Sequence, residues 1–597
     1  MKRNMIMIVL DSVTYTFLNK NKTKESPTPF LQEIMNNGVR IENMYSQAPY
    51  TEAALVSLHC GINTLDNFGH MRRNKYKNTV FDIYKKNGYE VYTNGLQPAI
   101  YPSGQIPKFE NCKYNFPYLF SQVSDYRLKY FSNIHLTTGL DENEFDLLVD
   151  IMEDNFDAWF KYLNDIINKT KSIELIYDSI DKTDIVKSYE SLEKEYKIYN
   201  KNKKKYIYNL LENLGDSNLL KIKNFIPKER IKDRNFISKE SKKRKKIITE
   251  ILMKNLILNL INNHMSFNVI KNFVNTKQYK KLLRYFLNYC NAVIDKDLFS
   301  RISKNYDSLK AVPSLDAMLE DSLLWIDTNK EKKPFFVYVH CEDNHFPETF
   351  FSYDSTDEKK LNEEFLHIKE VISSIKRGYK GSIAYDLSLR YVDNCIKKFY
   401  NILDEKGYLD NTDIVIAADH GFSYYYNPIR EQFVTNFYRE TYNIPFIIIS
   451  PKVNNIKINN SFYMSKDIVP TMLSLSNLKI PKTINGKSMF EFSGRDYARI
   501  EYMGPGCPHY YRRPFMLGVR TKNYSVVIEI GLKQEFEEFK FVTCFDLKED
   551  PLELNNLACT YIDKSKITKE LEIIRERFEK LKKEINGNGY YKPAKKE

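Results

Sequence analysis

The stretch MIMIVLDS, Met5 to Ser12, decides the fold. Its run from Met5 to Leu10 has no polar member and ends abruptly at the carboxylate of Asp11. An unbroken apolar run of this length, without alternation, reads as a strand buried on both faces, as in a parallel sheet covered by helices. Lys2 and Arg3 before it give the N-terminus a superficial likeness to an export signal. The run is too short for an export core and no small-residue cleavage site follows, so the cytoplasm is the expected location.

Outward from this strand, strand-like and helix-like segments alternate. Pro29 to Asn37 has helical spacing and stops at Asn37-Gly38. Ala54 to Leu58 opens a helix behind Thr51, Val80 to Asn87 predicts another, and Gly88 to Asn94 returns as a strand. From about Cys112 to Pro313 the texture changes to Lys, Asn, Leu and Ile at helical spacing. Ile247, Ile248, Ile251, Leu252, Leu256, Leu260 and Ile261 mark one amphipathic helix there. The basic run Lys242 to Lys246 precedes it. That run reads either as a solvated helix end or as a contact for an anionic substrate or lipid head groups.

Alternation resumes at Pro334 with a strand Phe335 to Val339 ending at His340 and a helix Leu387 to Asp404. A strand Asp413 to Ala418 ends at Asp419, and a strand Ile444 to Ser450 and a helix Asp467 to Ser476 follow. Short alternating strands, including Met516 to Arg520 and Tyr524 to Ile530, come next, and a charged helix runs from an N-cap at Thr568 to Ile585. The expectation is an α/β fold, a three-layer α/β/α sandwich with a mostly parallel central sheet over residues 1–490. A helical insertion or cap at 112–313 interrupts it, and a small C-terminal α+β subdomain with an antiparallel sheet covers 491–597.

Composition bounds the function. Of 597 residues, 42% are hydrophobic and 14% aromatic, which belongs to a folded globular protein. The net charge of +13 suits an anionic substrate or surface, or reflects a Lys-rich bias alone. No zinc finger or RNP motif points to nucleic acid, and no apolar stretch is long enough to span a membrane. The 8 cysteines are scattered without a CxxC pair and read as reduced, mostly buried thiols. Nothing in the sequence indicates an oligomeric state.

Ligands of parallel α/β sheets sit at the carboxyl ends of strands. Three expected strands end in metal-capable or catalytic groups: Asp11; His340 with Asp343 and His345; and Asp419 with His420. One such residue is an ordinary helix cap, but three strand ends of this type point to one shared site.

These segments resemble the sulfatase family of the alkaline phosphatase superfamily. MIMIVLDS looks like its opening strand, and TPFLQEIMNNGVRIENMYSQAPYT, Thr28 to Thr51, resembles its TPNLDRLAxxGxxFxNxY segment. DIVIAADHG, Asp413 to Gly421, matches its strand and metal motif, and YNIPFIIISP and KDIVPTMLSLSNLKIP resemble its downstream core blocks. VRTKNYSVV and CFDLKEDPLELNNLA look like its C-terminal subdomain. The middle third has no such counterpart.

Departures carry as much meaning. Where sulfatases have a C/S-x-P-S-R motif, this chain reads TEAALVSLHCG from Thr51, without the Pro and the Arg. Threonine cannot become formylglycine, the aldehyde of sulfatase chemistry. It is the nucleophile of superfamily phosphodiesterases, phosphoethanolamine transferases and lipoteichoic acid synthases. The resemblance therefore implies phosphoryl-type transfer through Thr51, on a glycan or surface-polymer precursor. Hydrolysis of sulfated sugars, or a catalytically inactive binding role, are the alternatives. It also implies Asp11, Thr51, Asp419 and His420 as metal ligands. Oxygen and imidazole donors suit Mn²⁺ or Zn²⁺ better than Ca²⁺ or Mg²⁺, and Ser12 stands where sulfatases place a second Asp. One ion is favoured. Asp343, with His340 and His345, is the candidate set for a second. His345 resembles the family's histidine on the transferred group, and His340 or His345 would protonate the leaving group. Asn94 occupies the place of a basic residue of sulfatases. The loop GPGCPHYYRRP supplies His509, Arg512 and Arg513, which could hold a substrate anion or form a surface turn. His59, His70, His135, His264 and His367 fall outside the matching motifs and are expected to be structural.

Overall fold

The computed structural model describes residues 2–18, 26–66, 79–95, isolated positions between 128 and 160, and 182–212. It further describes 315–329, 333–345, 383–422, 437–453, 456–458, 461–503 and 514–587. The strands among them are β1 (Asn4–Leu10), β2 (Val39–Ile41), β3 (Met44–Tyr45), β4 (Glu90–Gly95), β5 (Phe335–Cys341), β6 (Thr412–Ala418) and β7 (Phe446–Ile449). They continue as β8 (Ile456–Ile458), β9 (Tyr463–Met464), β10 (Ala498–Tyr502), β11 (Phe515–Arg520), β12 (Tyr524–Ile530) and β13 (Lys540–Asp546).

The central sheet has the order β4-β5-β1-β6-β7. Its first four strands are mutually parallel, and β7 runs antiparallel at the edge. β1 lies in the middle, and Met5 to Leu10 are wholly buried, as the unbroken apolar run demands. Side chains of β5 show what covers the two faces. Phe336 and Tyr338 meet Phe81 and Tyr84 of helix Val80–Lys86, whereas Phe335 meets Trp325 of helix Leu315–Asn329. Successive strand residues point to opposite faces, so these helices lie on opposite sides. Helix Thr51–Cys60 packs beside Val80–Lys86, and helix Ile383–Glu405 beside Leu315–Asn329 and Pro29–Asn37. The result is the expected three-layer α/β/α sandwich.

A second sheet, β10-β11-β12-β13, is antiparallel throughout and carries helix Thr568–Gly587 on one face. It joins the first body through shared packing of Tyr45, Tyr50, Phe437 and Tyr502. The Tyr50 hydroxyl donates to the Met503 carbonyl at 2.6 Å, and the Glu501 N–H to the Gln47 carbonyl at 2.8 Å. In the segment expected to be a helical insertion, helices Lys182–Lys201 and Lys203–Glu212 surround a core of their own with Phe131, Phe156 and Tyr199. The Lys242 to Lys246 run and the amphipathic Ile247 to Ile261 stretch lie outside the described residues. No helix among the described residues is long and apolar enough to cross a membrane.

Some boundaries differ from expectation. β5 continues through His340 to Cys341, which turns His340 from a post-strand residue into a strand residue. Thr568 is not an N-cap. Its backbone is already helical, and its hydroxyl donates backwards to the Lys564 and Ser565 carbonyls because a short 3-10 turn precedes it. The described cysteines Cys60, Cys341, Cys395 and Cys544 are free and buried, and Cys559 is free and exposed.

Candidate active site

Register assembles the site. Leu10, the last residue of β1, pairs with Cys341 on one side and Ala418 on the other. The next residue, Asp11, therefore emerges beside Asp419, with His340 one step back in β5 opposite Val9. All three are buried. His340 Nε2 lies 3.9 Å from Asp11 Oδ2 and 3.9 Å from Asp419 Oδ2. Ser12 turns the chain with a left-handed backbone, φ 61°. Its N–H donates to Asp419 Oδ1 at 3.2 Å and its hydroxyl to Asp11 Oδ1 at 2.6 Å. The Tyr385 hydroxyl donates to the Ser12 carbonyl at 2.7 Å and fixes that turn. Strained backbone of this kind gathers at functional sites.

Thr51 enters from the helix layer. It opens helix Thr51–Cys60, whose preceding residue Tyr50 offers no side-chain cap. Thr51 Oγ1 lies 3.2 Å from Asp11 Oδ2 and 3.2 Å from His420 Nε2. The His420 tautomer follows from its other nitrogen. Nδ1 sits 2.8 Å from the Gly421 carbonyl, which only accepts, so Nδ1 carries a proton, and in the neutral imidazole Nε2 presents its lone pair. Gly421 is required here: a Cβ on it would fall 1.9 Å from the Glu440 carbonyl oxygen.

Burial and mutual charge set the protonation. Burial raises Asp11, but the neighbouring imidazoles of His345, His420 and His340 outweigh it and hold the carboxyl below its usual range. Burial and the Asp11 carboxylate together push Asp419 up. Burial lowers His340, with the two carboxylates opposing. Among the buried polar atoms, His340 Nε2 and Asp419 Oδ2 have no hydrogen-bond partner. Buried polar atoms are rarely left so. Ligand atoms of Asp11, His340 and Asp419 lie within 4.8 Å of one another. Two carboxylates and an imidazole around one point are a donor set for a divalent cation, with His420 Nε2 and Thr51 Oγ1 at its edge.

The structure thus brings together Asp11, Thr51, His340, Asp419 and His420. His345 is exposed, yet close enough that its charge acts on Asp11. His509, Arg512 and Arg513 lie outside the described residues. His340 is placed differently from the expectation of a group open to a leaving oxygen: it is fully buried, with Nε2 between the carboxylates. Asp343 is not part of the cluster. It accepts the Leu315 N–H at 2.7 Å, and burial pushes it up to about 7. Asn94 is buried and donates to the Met318 carbonyl and to Asp321, both at 3.3 Å, so it supports packing. Sequence reasoning missed Ser12 and Tyr385 as the turn that aims Asp11. A polar residue straight after an apolar strand was the available signal for Ser12; nothing local marked Tyr385.

A family model described as Sulfatase matches residues 3–212 and 259–478. One described as N-sulphoglucosamine sulphohydrolase, C-terminal, matches residues 433–584. The chain is 28% identical over 211 residues to an N-acetylglucosamine-6-O-sulfatase of Bacteroides thetaiotaomicron, covering 33% of this chain and 35% of that protein. It is 26% identical over 169 residues to lipoteichoic acid synthase 1 of Bacillus subtilis, covering 27% and 24% respectively. The match spans between a third and a half of the length of the sulfatases it resembles. A solved phosphonate monoester hydrolase of Agrobacterium radiobacter aligns with 97% of this chain and 96% of its own, at a TM-score of 0.48 and 13% identity.

Proposed function

From the premise that this chain belongs to the sulfatase family and is an enzyme of its hydrolase class, we propose that it cleaves or transfers phosphate esters or diesters through Thr51. The carrying observation is the Thr51 hydroxyl, 3.2 Å from Asp11 Oδ2 and 3.2 Å from His420 Nε2 at a helix N-terminus.

That hydroxyl has one proton and two acceptors facing it. Attack by Thr51 Oγ on phosphorus forms the new P–O bond, breaks the bond to the leaving oxygen and passes the proton to Asp11 Oδ2, because the one lone pair of His420 Nε2 is needed for the cation. The first-turn N–H groups of the helix favour the anion that forms there. His345, exposed beside the cluster, supplies a proton to the leaving oxygen. The phosphothreonine is then released to water or to an acceptor alcohol. Asp11, His340 and Asp419, with His420, would hold a divalent cation, Mn²⁺ or Zn²⁺ by donor type. When bound, it supplies positive charge that favours the Thr51 alkoxide and the charge on the transferred group.

The substrate class follows from the nucleophile, since a threonine side chain cannot carry the aldehyde on which sulfate-ester hydrolysis in the family depends. Lipoteichoic acid synthase 1, a relative by sequence, supports a phosphorylated glycan or surface-polymer precursor. A second reading, hydrolysis of sulfated sugars, is favoured by the C-terminal match and by the N-acetylglucosamine-6-O-sulfatase relative.

Activity of the metal-supplemented protein on bis-p-nitrophenyl phosphate and on p-nitrophenyl sulfate separates them. The proposal expects phosphodiester cleavage that a chelator abolishes and Mn²⁺ or Zn²⁺ restores. Turnover of the sulfate ester alone would overturn it.

A further inference from the structure

The mechanism leaves His59 unused, although it is buried and sits on the same helix as Thr51. Its Nε2 lies 2.9 Å from the Tyr338 hydroxyl, and that hydroxyl lies 3.4 Å from His340 Nδ1. Tyr338 and His340 point to the same face of β5, two residues apart. The three polar groups form a buried line ending at the imidazole that faces Asp11 and Asp419.

We propose that Tyr338 and His59 are positioning residues that lock His340 in the tautomer able to bind a cation through Nε2. This rests on the cation-site reading above and names the groups that tune it. The directions are forced by counting protons. For Nε2 to offer a lone pair, neutral His340 must carry its proton on Nδ1 and donate it to the Tyr338 oxygen. The Tyr338 hydroxyl then has its own proton to give, and His59 Nε2 is the acceptor beside it. His59 must in turn be neutral with its proton on Nδ1. Burial, and secondarily His340, hold His59 well below the usual histidine range, so it is neutral as the line requires. If the line ran in the opposite direction, Nε2 would carry a proton and point it between two carboxylates, excluding a cation. Partners behind a metal-binding imidazole orient the ring and fix its tautomer, and their loss costs about 10–100-fold in metal affinity.

The ring of Tyr338 packs edge-on against Phe81 and His59, so Tyr338→Phe keeps the packing and removes only the hydroxyl. Apo protein titrated with Mn²⁺ by calorimetry gives the affinity, and the apo melting temperature reports folding independently. Tyr338→Phe is expected to raise the Mn²⁺ Kd by about 10–100-fold at unchanged stoichiometry. His59→Leu is expected to act similarly, and His59→Gln, whose amide oxygen can accept from Tyr338, to bind close to wild type. The double variant Tyr338→Phe/His59→Leu should bind no more weakly than Tyr338→Phe alone, because both break one line.

Wild-type affinity in Tyr338→Phe overturns the proposal. So does a His59→Gln as damaging as His59→Leu, or losses that multiply in the double variant. A wild-type protein that takes up no Mn²⁺ or Zn²⁺ overturns the cation site itself and this proposal with it.

Discussion

The Thr51 hydroxyl gives the residue scale its sharpest test. It touches both an aspartate and an imidazole, so its removal takes away the proposed nucleophile while leaving both carboxylates and His340 in place. Thr51→Ala is expected to lower kcat on a phosphodiester by a factor on the order of 10³ or more while Mn²⁺ stoichiometry is retained. Thr51→Ser, which keeps an oxygen, should recover part of the rate. Full activity in Thr51→Ala, measured in single-turnover assays, would remove the nucleophile assignment. Asp11, Asp419 and His420 could be singled out from sequence because they stand just after apolar runs that read as strands. His340 could be placed at the same strand end, but not its role. That role depends on which ring nitrogen faces the carboxylates, and the answer comes from Tyr338 and His59, the latter some 280 positions away in the chain.

At the scale of elements, the helix Pro29–Asn37 shows what sequence pattern conveys and what it omits. Its limits were legible from Pro at the start and Asn37-Gly38 at the end. Its cap was not. Thr28 makes no side-chain capping bond. The service comes from Asp393 on helix Ile383–Glu405, which accepts the Phe30 N–H at 3.1 Å and the Leu31 N–H at 2.8 Å. No local rule finds a cap supplied from a distant helix. Burial pushes the Asp393 carboxyl up to about 7, against those backbone bonds, from an ordinary 3.8. Between those values the unfolded chain has lost the proton that the folded protein keeps. The stabilising contribution is therefore largest below the lower value and shrinks as pH rises, by up to about 1.4 kcal/mol per pH unit, until the folded carboxyl also ionises. Chemical denaturation of wild type and Asp393→Asn at several pH values between 4.5 and 7 checks this. The stability difference, wild type minus variant, should fall as pH rises; a flat difference would mean the folded carboxyl is ionised throughout. Asp393→Ala, which removes both acceptors, should cost about 1–2 kcal/mol.

On the scale of the whole molecule, the question is how the antiparallel C-terminal sheet stays bound to the catalytic body. The alternation of short strands after about Arg495 was readable from the sequence, but not the joint. It is built from polar residues remote in sequence, which hydrophobic periodicity cannot register. Arg577, on the helix that packs over the second sheet, is buried. Its guanidinium binds Glu501 of β10 at 2.6 Å and Asp66, just beyond the helix that begins at Thr51, at 2.8 Å. The two carboxylates raise Arg577 above its already high range, and Arg577 helps hold Asp66 below its own. Glu501 also receives the Leu65 N–H at 3.0 Å. One side chain thus fastens the C-terminal helix, the second sheet and the loop behind the helix Thr51–Cys60. Removing it leaves two buried carboxylates without their cation, which typically costs 3–5 kcal/mol. Arg577→Leu should therefore lower stability by about that amount in urea denaturation, and Arg577→Lys, which keeps the charge but not the forked geometry, should lose less. The loss should show in stability before catalysis, since Arg577 is not among the groups that meet at the Thr51 site. A variant with native stability would mean that the packing of Tyr45, Tyr50, Phe437 and Tyr502 and the hydrogen bonds from Tyr50 and Glu501 hold the two sheets together without Arg577.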